Sequence, residues 1–246
     1  MRNLHGRVVL ISGAASGLGR AIARRLSIAG AHAVVGDVNI DGAAATVELI
    51  KSAGGSAEFV EFDVTDSSST REAIDRIAAN HGEHFDGLVN NAGTDSGAGI
   101  RELTDEQWRQ VIAVNQTGPL YATRAFLNAI GSTDRSYPAD IVNVISISAI
   151  TVGADAAAYN SSKAALAMLT KVMQREAHEY RWPVRIHGLM PSAMNTPMMD
   201  QWNLSDDVMM DPDTVASAVE FMMTLPPDSF VQNLVINSRR EPGWPR

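Results

Sequence analysis

Seven short apolar runs, at 7–12, 33–37, 57–63, 87–91, 140–146, 184–190 and 230–236, alternate along the chain with longer stretches at helical spacing. Several runs are almost unbroken Val, Ile and Leu, as expected of strands covered by helices on both faces. Strand–helix–strand repetition requires right-handed crossovers and therefore a parallel sheet. The predicted fold class is α/β: a single-domain, Rossmann-like doubly wound parallel sheet of about seven strands with helices on both faces. The 246 residues, 45% of them hydrophobic, suit one such domain over residues 1–246.

The helical stretches carry their own punctuation. Leu18, Ile22, Leu26 and Ala29 line one face after the first strand. Thr104, with Gln107 three residues on, reads as a capping box opening a helix through Trp108, Ile112 and Asn115, the pattern resuming to Ile130. A further helix is expected over 156–180, and a last one from Pro212 with Asp211 as cap. The loop-like stretches are 94–99, 132–139 and 194–211. Open α/β sheets bind ligands beyond the carboxyl ends of their strands, so 94–99 and 194–211 are the expected pocket walls, the latter a short substrate loop.

Composition excludes several functions. The net charge of −8 argues against a nucleic-acid surface. Without cysteine there are no disulfides, thiolate nucleophiles or Cys-based metal sites. The first residues lack the apolar stretch of a signal peptide, and no run of about 18 apolar residues reads as a membrane span. A cytoplasmic protein is the expectation. His81-Gly82-Glu83-His84 lies before the fourth strand with no further ligand cluster in view, so it reads as a surface loop and no metal site is expected.

Ser12-Gly13-Ala14-Ala15-Ser16-Gly17-Leu18-Gly19 joins the first strand to the first helix. Alone it is an ordinary glycine-rich turn. Between a strand and a helix, Gly13, Ser16, Gly17, Leu18 and Gly19 can cradle a pyrophosphate against free helix N–H groups. Arg20-Ala21 follows Gly19, which excludes a P-loop. Asp37 ends the second strand, where an acid accepts hydrogen bonds from adenosine ribose hydroxyls and repels a 2′-phosphate. No Lys or Arg lies in 38–42, so NAD is favoured over NADP. Asp63-Val64 ends the third strand; Asp63 reads equally as an adenine contact or a helix cap, with Asp66 the more obvious cap.

Tyr159-Asn160-Ser161-Ser162-Lys163 sets a phenol and an ammonium on one helix face. Alone the pair reads as a solvated face. Ser146 stands 13 residues earlier, and Asn115 lies on the preceding long helix. With Gly13-x-x-x-Gly17-x-Gly19, Asp63-Val64, Asn90-Asn91-Ala92-Gly93 and Pro191-Ser192-x-Met194-x-Thr196, the chain resembles the short-chain dehydrogenase/reductase family from about Arg7 to Pro197. The resemblance implies an NAD-dependent oxidoreductase interconverting a secondary alcohol and a ketone. Tyr159 would be the general acid/base and Lys163 would hold the nicotinamide ribose and favour the phenolate. Ser146 would donate to the substrate oxygen, and Asn115 would position a relay water. Asn91, Ala92 and Gly93 would approach the cofactor, and Pro191, Met194 and Thr196 would border the nicotinamide. It also implies a homodimer or homotetramer built on two long helices, with a small-molecule alcohol or ketone as the substrate.

The chain departs from the family pattern at Ser12 for Thr, at Ser192 for Gly, and at Ile236-Asn237-Ser238-Arg239-Arg240 for a terminal Asp-Gly-Gly. Ser148 is a second candidate for the role of Ser146. Met194, Met198, Met199, Met209 and Met210 suggest an adaptable apolar lid, and Thr94, Asp95, Ala149, Thr151 and Trp202 complete the expected pocket. A non-catalytic NAD sensor on the same fold is the alternative reading, which the intact Tyr159, Lys163, Ser146 and Asn115 disfavour. A nucleotide-sugar epimerase or dehydratase ranks lower, because little chain follows Thr196.

Overall fold

The computed structural model describes residues 3–131, 137–202 and 204–240. Seven strands, β1 (Val8–Ser12), β2 (His32–Asp37), β3 (Ser56–Glu61), β4 (Phe85–Asn90), β5 (Ala139–Val144), β6 (Val184–Pro191) and β7 (Leu234–Ile236), pair in the order β3-β2-β1-β4-β5-β6-β7. Every pairing is parallel. The chain starts mid-sheet, runs out to β3 and returns to β4. The reversal leaves a crevice at the carboxyl ends of β1 and β4.

Helices α1 (Gly17–Ile28), α2 (Ile40–Ser52) and α7 (Pro212–Met223) cover one face, and α3 (Ser67–His81), α5 (Gly118–Ile130) and α6 (Ala157–Glu179) the other, with α4 (Asp105–Ile112) leading into α5. Strand β1 shows why the run had to be apolar throughout. Val9 and Ile11 pack with Leu18, Ile22, Leu26 and Val219, while Val8 and Leu10 pack with Ile74, Ile77 and Phe126.

Three expectations change in detail. The helix predicted from Thr104 to Ile130 breaks at a five-residue π-helical turn, Ala113–Thr117. Pro119 has no N–H to give to the Asn115 carbonyl four residues back, so the α-helical ladder cannot run through. Strand β7 is three residues instead of seven. Val231 donates its N–H to His187 Nδ1 (3.0 Å) and Gln232 accepts from Gln174 Nε2 (2.8 Å), so this backbone is satisfied outside the ladder. Strands β3 and β5 end at Glu61 and Val144, which leaves Asp63 and Ser146 in the turns that follow. Part of the predicted loop 132–139 lies outside the described residues. Among the described residues no helix is long and apolar enough to cross a membrane.

At the amino ends of the strands a charged cluster is buried. Asp140 accepts from Arg7 (2.8 Å), Arg185 (2.8 and 3.1 Å) and His187 (3.1 Å), and Arg7 also binds Asp86 (2.8 Å). These bonds tie β4, β5 and β6 to the segment before β1.

Candidate active site

The turn after β1 is shaped by backbone proximity. Gly13 has φ +66°, and a Cβ there would lie 2.7 Å from Ala92 Cα. A Cβ at Gly19 would run into the Gly13 carbonyl and the Asn91 amide. Ser12 keeps the hydroxyl of the residue it replaces: its Oγ accepts from the N–H groups of Asn91 and Ala92, both at 3.0 Å. Asn91 Nδ2 donates back to the carbonyls of Ser12 (2.9 Å) and Gly13 (3.1 Å). The glycine turn is thus fastened to the end of β4. Ser16 caps α1 without a side-chain hydrogen bond, and no acid stands in the first turn, so the helix N-terminus keeps free donors and its partial positive charge.

This turn forms one end of a groove of about 710 Å³. All the predicted cofactor residues line it: those of the glycine turn, Asp37, Asp63 and Val64, the 91–93 segment, Tyr159 and Lys163, and Pro191, Met194 and Thr196. Asp37 is held by the N–H groups of Ala15 and Asn39, both at 2.9 Å, one to each oxygen. Asp63 Oδ1 accepts from the N–H (2.8 Å) and hydroxyl (2.7 Å) of Thr65, shaping the turn after β3, while Asp66 caps α3. Among the described residues lining the groove, Lys163 is the one Lys or Arg. The groove therefore fits a dinucleotide: a backbone cradle too tight for side chains, an unspent helix N-terminus, and an acid at the ribose end.

Tyr159 lies in the first turn of α6, with Lys163 one turn on and its Nζ 5.6 Å from the Tyr159 ring centre. Lys163 is buried and donates to the Val144 carbonyl at 3.0 Å. The Ser146 hydroxyl stands beside the Tyr159 phenol and favours its ionised form. Ser146 Oγ also accepts from the Ser148 N–H (3.1 Å), so Ser148 supports Ser146 through its backbone and its side chain stays out of the groove lining. Asn115 sits behind them, fully buried in the π-turn. Its Oδ1 accepts from the Thr94 N–H and its Nδ2 donates to the Thr94 carbonyl, both at 2.8 Å, and to Ser162 Oγ at 3.0 Å. Ser162 in turn donates to the Tyr159 carbonyl (2.7 Å). This Asn115–Ser162 link, absent from the sequence reading, joins the π-turn to the turn that carries Tyr159.

Burial dominates the protonation of the pair. It pushes Tyr159 up to about 12, with the Ser146 hydrogen bond opposing and the Asp95 charge adding to the rise. Burial also pulls Lys163 down to about 8 against the Asp95 carboxylate. The expected depression of the phenol is therefore not a property of the protein groups alone: desolvation and the Asp95 charge outweigh the Ser146 hydroxyl. Asp95 is itself raised by burial and accepts from the Ser96 N–H (2.7 Å) and Trp202 Nε1 (3.2 Å), which links the 94–99 loop to the 194–211 segment.

Of the expected pocket residues, Thr94, Met194 and Met198 line the groove. Thr151 turns its hydroxyl back to the Ile147 carbonyl (3.1 Å), and Met210 belongs to the core beneath. Ser192 accepts a hydrogen bond from the Ser238 N–H at 2.9 Å. Two departures from the family pattern, at 192 and after β7, are thereby in contact.

Comparison with known proteins agrees with this geometry. The family model described as short chain dehydrogenase matches residues 7–207. The chain is 37% identical over 198 residues to the 2,5-dichloro-2,5-cyclohexadiene-1,4-diol dehydrogenase of Sphingobium indicum, covering 79% of this chain and 76% of that one. It is 36% identical over 206 residues to the 2,3-dihydro-2,3-dihydroxybenzoate dehydrogenase of Bacillus subtilis, covering 84% and 76%. The crystal structure of a metagenomic short-chain oxidoreductase in complex with NADP superposes with a TM-score of 0.82 at 29% identity, over 95% of this chain and 98% of that one.

Proposed function

The chain belongs to the short-chain dehydrogenase family, and from that premise we propose that it is an NAD-dependent oxidoreductase interconverting a secondary alcohol and a ketone, with Tyr159 as general acid/base. The observation that carries the reading is the convergence of Ser146, Tyr159 and Lys163 in the same groove as the glycine turn. When bound, the nicotinamide ring supplies the hydride acceptor or donor. Gly13, Ser16, Gly17, Leu18 and Gly19 hold the pyrophosphate, Asp37 the adenosine ribose, Asp63 and Val64 the adenine, and Asn91, Ala92 and Gly93 the backbone wall. Lys163 holds the nicotinamide ribose, and Pro191, Met194 and Thr196 border the carboxamide.

Proton transfer at the substrate oxygen belongs to Tyr159. With its phenol pushed up to about 12, Tyr159 is neutral at pH 7, the form that donates to a ketone oxygen. In the oxidation direction a phenolate must form, and Lys163, protonated below about pH 8, supplies a cation beside it. Ser146 orients the substrate oxygen. Asn115 fixes the Thr94 backbone and the Ser162 hydroxyl, which in turn supports the Tyr159 carbonyl, and is assigned the relay water.

The preference for NAD rests on Asp37, whose carboxylate repels a 2′-phosphate, and on the distance in sequence and fold of Lys163 from that end. Because the metagenomic relative carries NADP, both cofactors belong in the assay. The apolar groove of about 1060 Å³ between α5 and α6, lined by Leu120, Leu127, Leu169, Val172 and Trp182, supports assembly with a second copy of the chain. Two relatives are named for ring alcohols, so a substrate panel begins with cyclic secondary alcohols and dihydrodiols.

Tyr159→Phe tests the reading. Turnover on the best panel substrate should fall by about 10²–10⁴-fold, while NAD affinity by calorimetry stays within about threefold. A variant that keeps its turnover would remove Tyr159 from the chemistry.

A further inference from the structure

At the opposite end of the sheet from the groove, three side chains from three elements converge: His32 at the start of β2, Glu58 on the edge strand β3, and His81 at the end of α3. The geometry points to a divalent transition-metal site made by His32 Nε2, Glu58 and His81 Nε2, clamping α3 and the edge strand to β2.

The donor atoms all lie within 4.8 Å of one another. His81 Nε2 is 2.8 Å from Glu58 Oε1, and His32 Nε2 is 3.9 Å from the same oxygen. An ion about 2.0 Å from each of three donors in tetrahedral array holds them about 3.3 Å apart, so the two distances bracket what coordination needs. Two imidazoles and one carboxylate are a zinc-type donor set that leaves a position for water.

His32 makes the case more than a surface ion pair. Its Nδ1 lies 2.6 Å from Ser56 Oγ. Its Nε2 is shut off from solvent and has no hydrogen-bond partner among the described residues. A ring whose far nitrogen is hydrogen-bonded and whose near nitrogen is buried and unsatisfied has the orientation of a metal-bound histidine with its outer partner in place. If Nδ1–H donates to Ser56, the Nε2 lone pair faces a carboxylate, an arrangement that a bridging cation resolves. Burial lowers the pKa of His32 against the pull of Glu58, with His81 and Lys51 adding to the fall, which favours the neutral ligand form. Lys51 is the opposing charge that the carboxylate must outweigh.

The site stands apart from catalysis, so its test reads binding and stability. Protein stripped with chelator is titrated with Zn²⁺ by calorimetry and melted with and without the ion, alongside Glu58→Gln and His81→Gln. One equivalent per chain should bind, and a hundredfold excess over Kd should raise the wild-type Tm by about 5–10 °C. Both variants should lose the shift while keeping their metal-free Tm within about 3 °C of wild type. Co²⁺ should give visible absorption bands of a low-coordinate N/O site in the wild type alone. Equal Zn²⁺ binding by the variants, or no wild-type binding tighter than about 1 mM, a level of weak surface association, overturns the proposal.

Discussion

Lys163 is 3% exposed and carries its charge between the Val144 carbonyl and the Tyr159 ring one turn back, with Asp95 as the nearby anion. Its folded pKa of about 8 lies below the unfolded value of 10.5, so between these the unfolded chain binds the extra proton. Stability should therefore rise as pH climbs from about 8 toward 10.5, by at most about 3 kcal/mol for a shift of this size. Below pH 8 the folded state bears the full cost of the buried ammonium. Tyr159 acts in the other direction only above pH 10, where the folded protein holds a phenol proton that the unfolded chain releases. Urea unfolding at pH 7, 8, 9 and 10 should show the rise in wild type and its absence in Lys163→Met. Parallel profiles for the two proteins would place the ammonium in a wetter site than its burial implies.

Among the elements, the α4–α5 passage decides how close the second layer comes to the groove. A Cβ at Gly118, the first residue of α5, would sit 2.8 Å from Val64 Cβ and 3.2 Å from the Val64 carbonyl. In an exposed helix Gly→Ala gains about 1 kcal/mol; here the overlap costs about 1–3 kcal/mol and falls on a residue that lines the groove. Gly118→Ala should lower Tm by about 2–12 °C and weaken NAD binding, with kcat within about twofold. A raised Tm with unaltered NAD affinity would show that the 63–65 turn yields freely.

The same passage shows what a sequence can and cannot tell. The capping box at Thr104 and Gln107 is local chemistry and forms as read, with both reciprocal bonds present. Strand β1 is legible for the same reason, as a contiguous apolar run, whereas β3 (Ser-Ala-Glu-Phe-Val-Glu) carries acids among its apolar residues and β7 keeps only three residues of its run. The π-turn was signalled by Pro119, four residues after Asn115, but an apolar pattern that continues on both sides hides the break. The groove lining was legible because the glycine turn, Asp37 and the Tyr159–Lys163 pair follow the strand ends that topology brings together. The Asn115–Ser162 bond, the Ser192–Ser238 bond and the Asn91 staple span 47, 46 and 79 residues and depend on packing that no local spacing encodes. His81 was visible only as part of a loop with His84, because its partners His32 and Glu58 stand on strands that precede it.

Over the whole molecule the two ends of the sheet do different work: ligand geometry at the carboxyl ends, charge burial at the amino ends. Asp140, fully buried, receives hydrogen bonds from Arg7, Arg185 and His187. His187 Nδ1 accepts from the Val231 N–H, so the ring hydrogen toward Asp140 sits on Nε2. Burial pushes the Asp140 carboxyl up, but the His187 hydrogen bond and the Arg7 and Arg185 guanidiniums more than offset it, and the net pKa is lowered. A carboxylate depressed in this way contributes its full stability above about pH 4 and loses it as pH falls through the folded value. Asp140→Asn keeps the shape, removes the charge and turns one of the two acceptor oxygens shared by Arg7, Arg185 and His187 into a donor, while Arg185 keeps the carbonyls of Leu225, Pro226 and Ser229. Breaking a buried pair on one side costs about 3–5 kcal/mol, so at pH 7 the variant should melt about 6–20 °C lower. The gap should narrow as pH falls below 4, because the wild-type carboxylate is then being protonated as well. Urea midpoints for both proteins at pH 7, 5 and 3 separate this from a packing defect, which would hold the gap constant across the series.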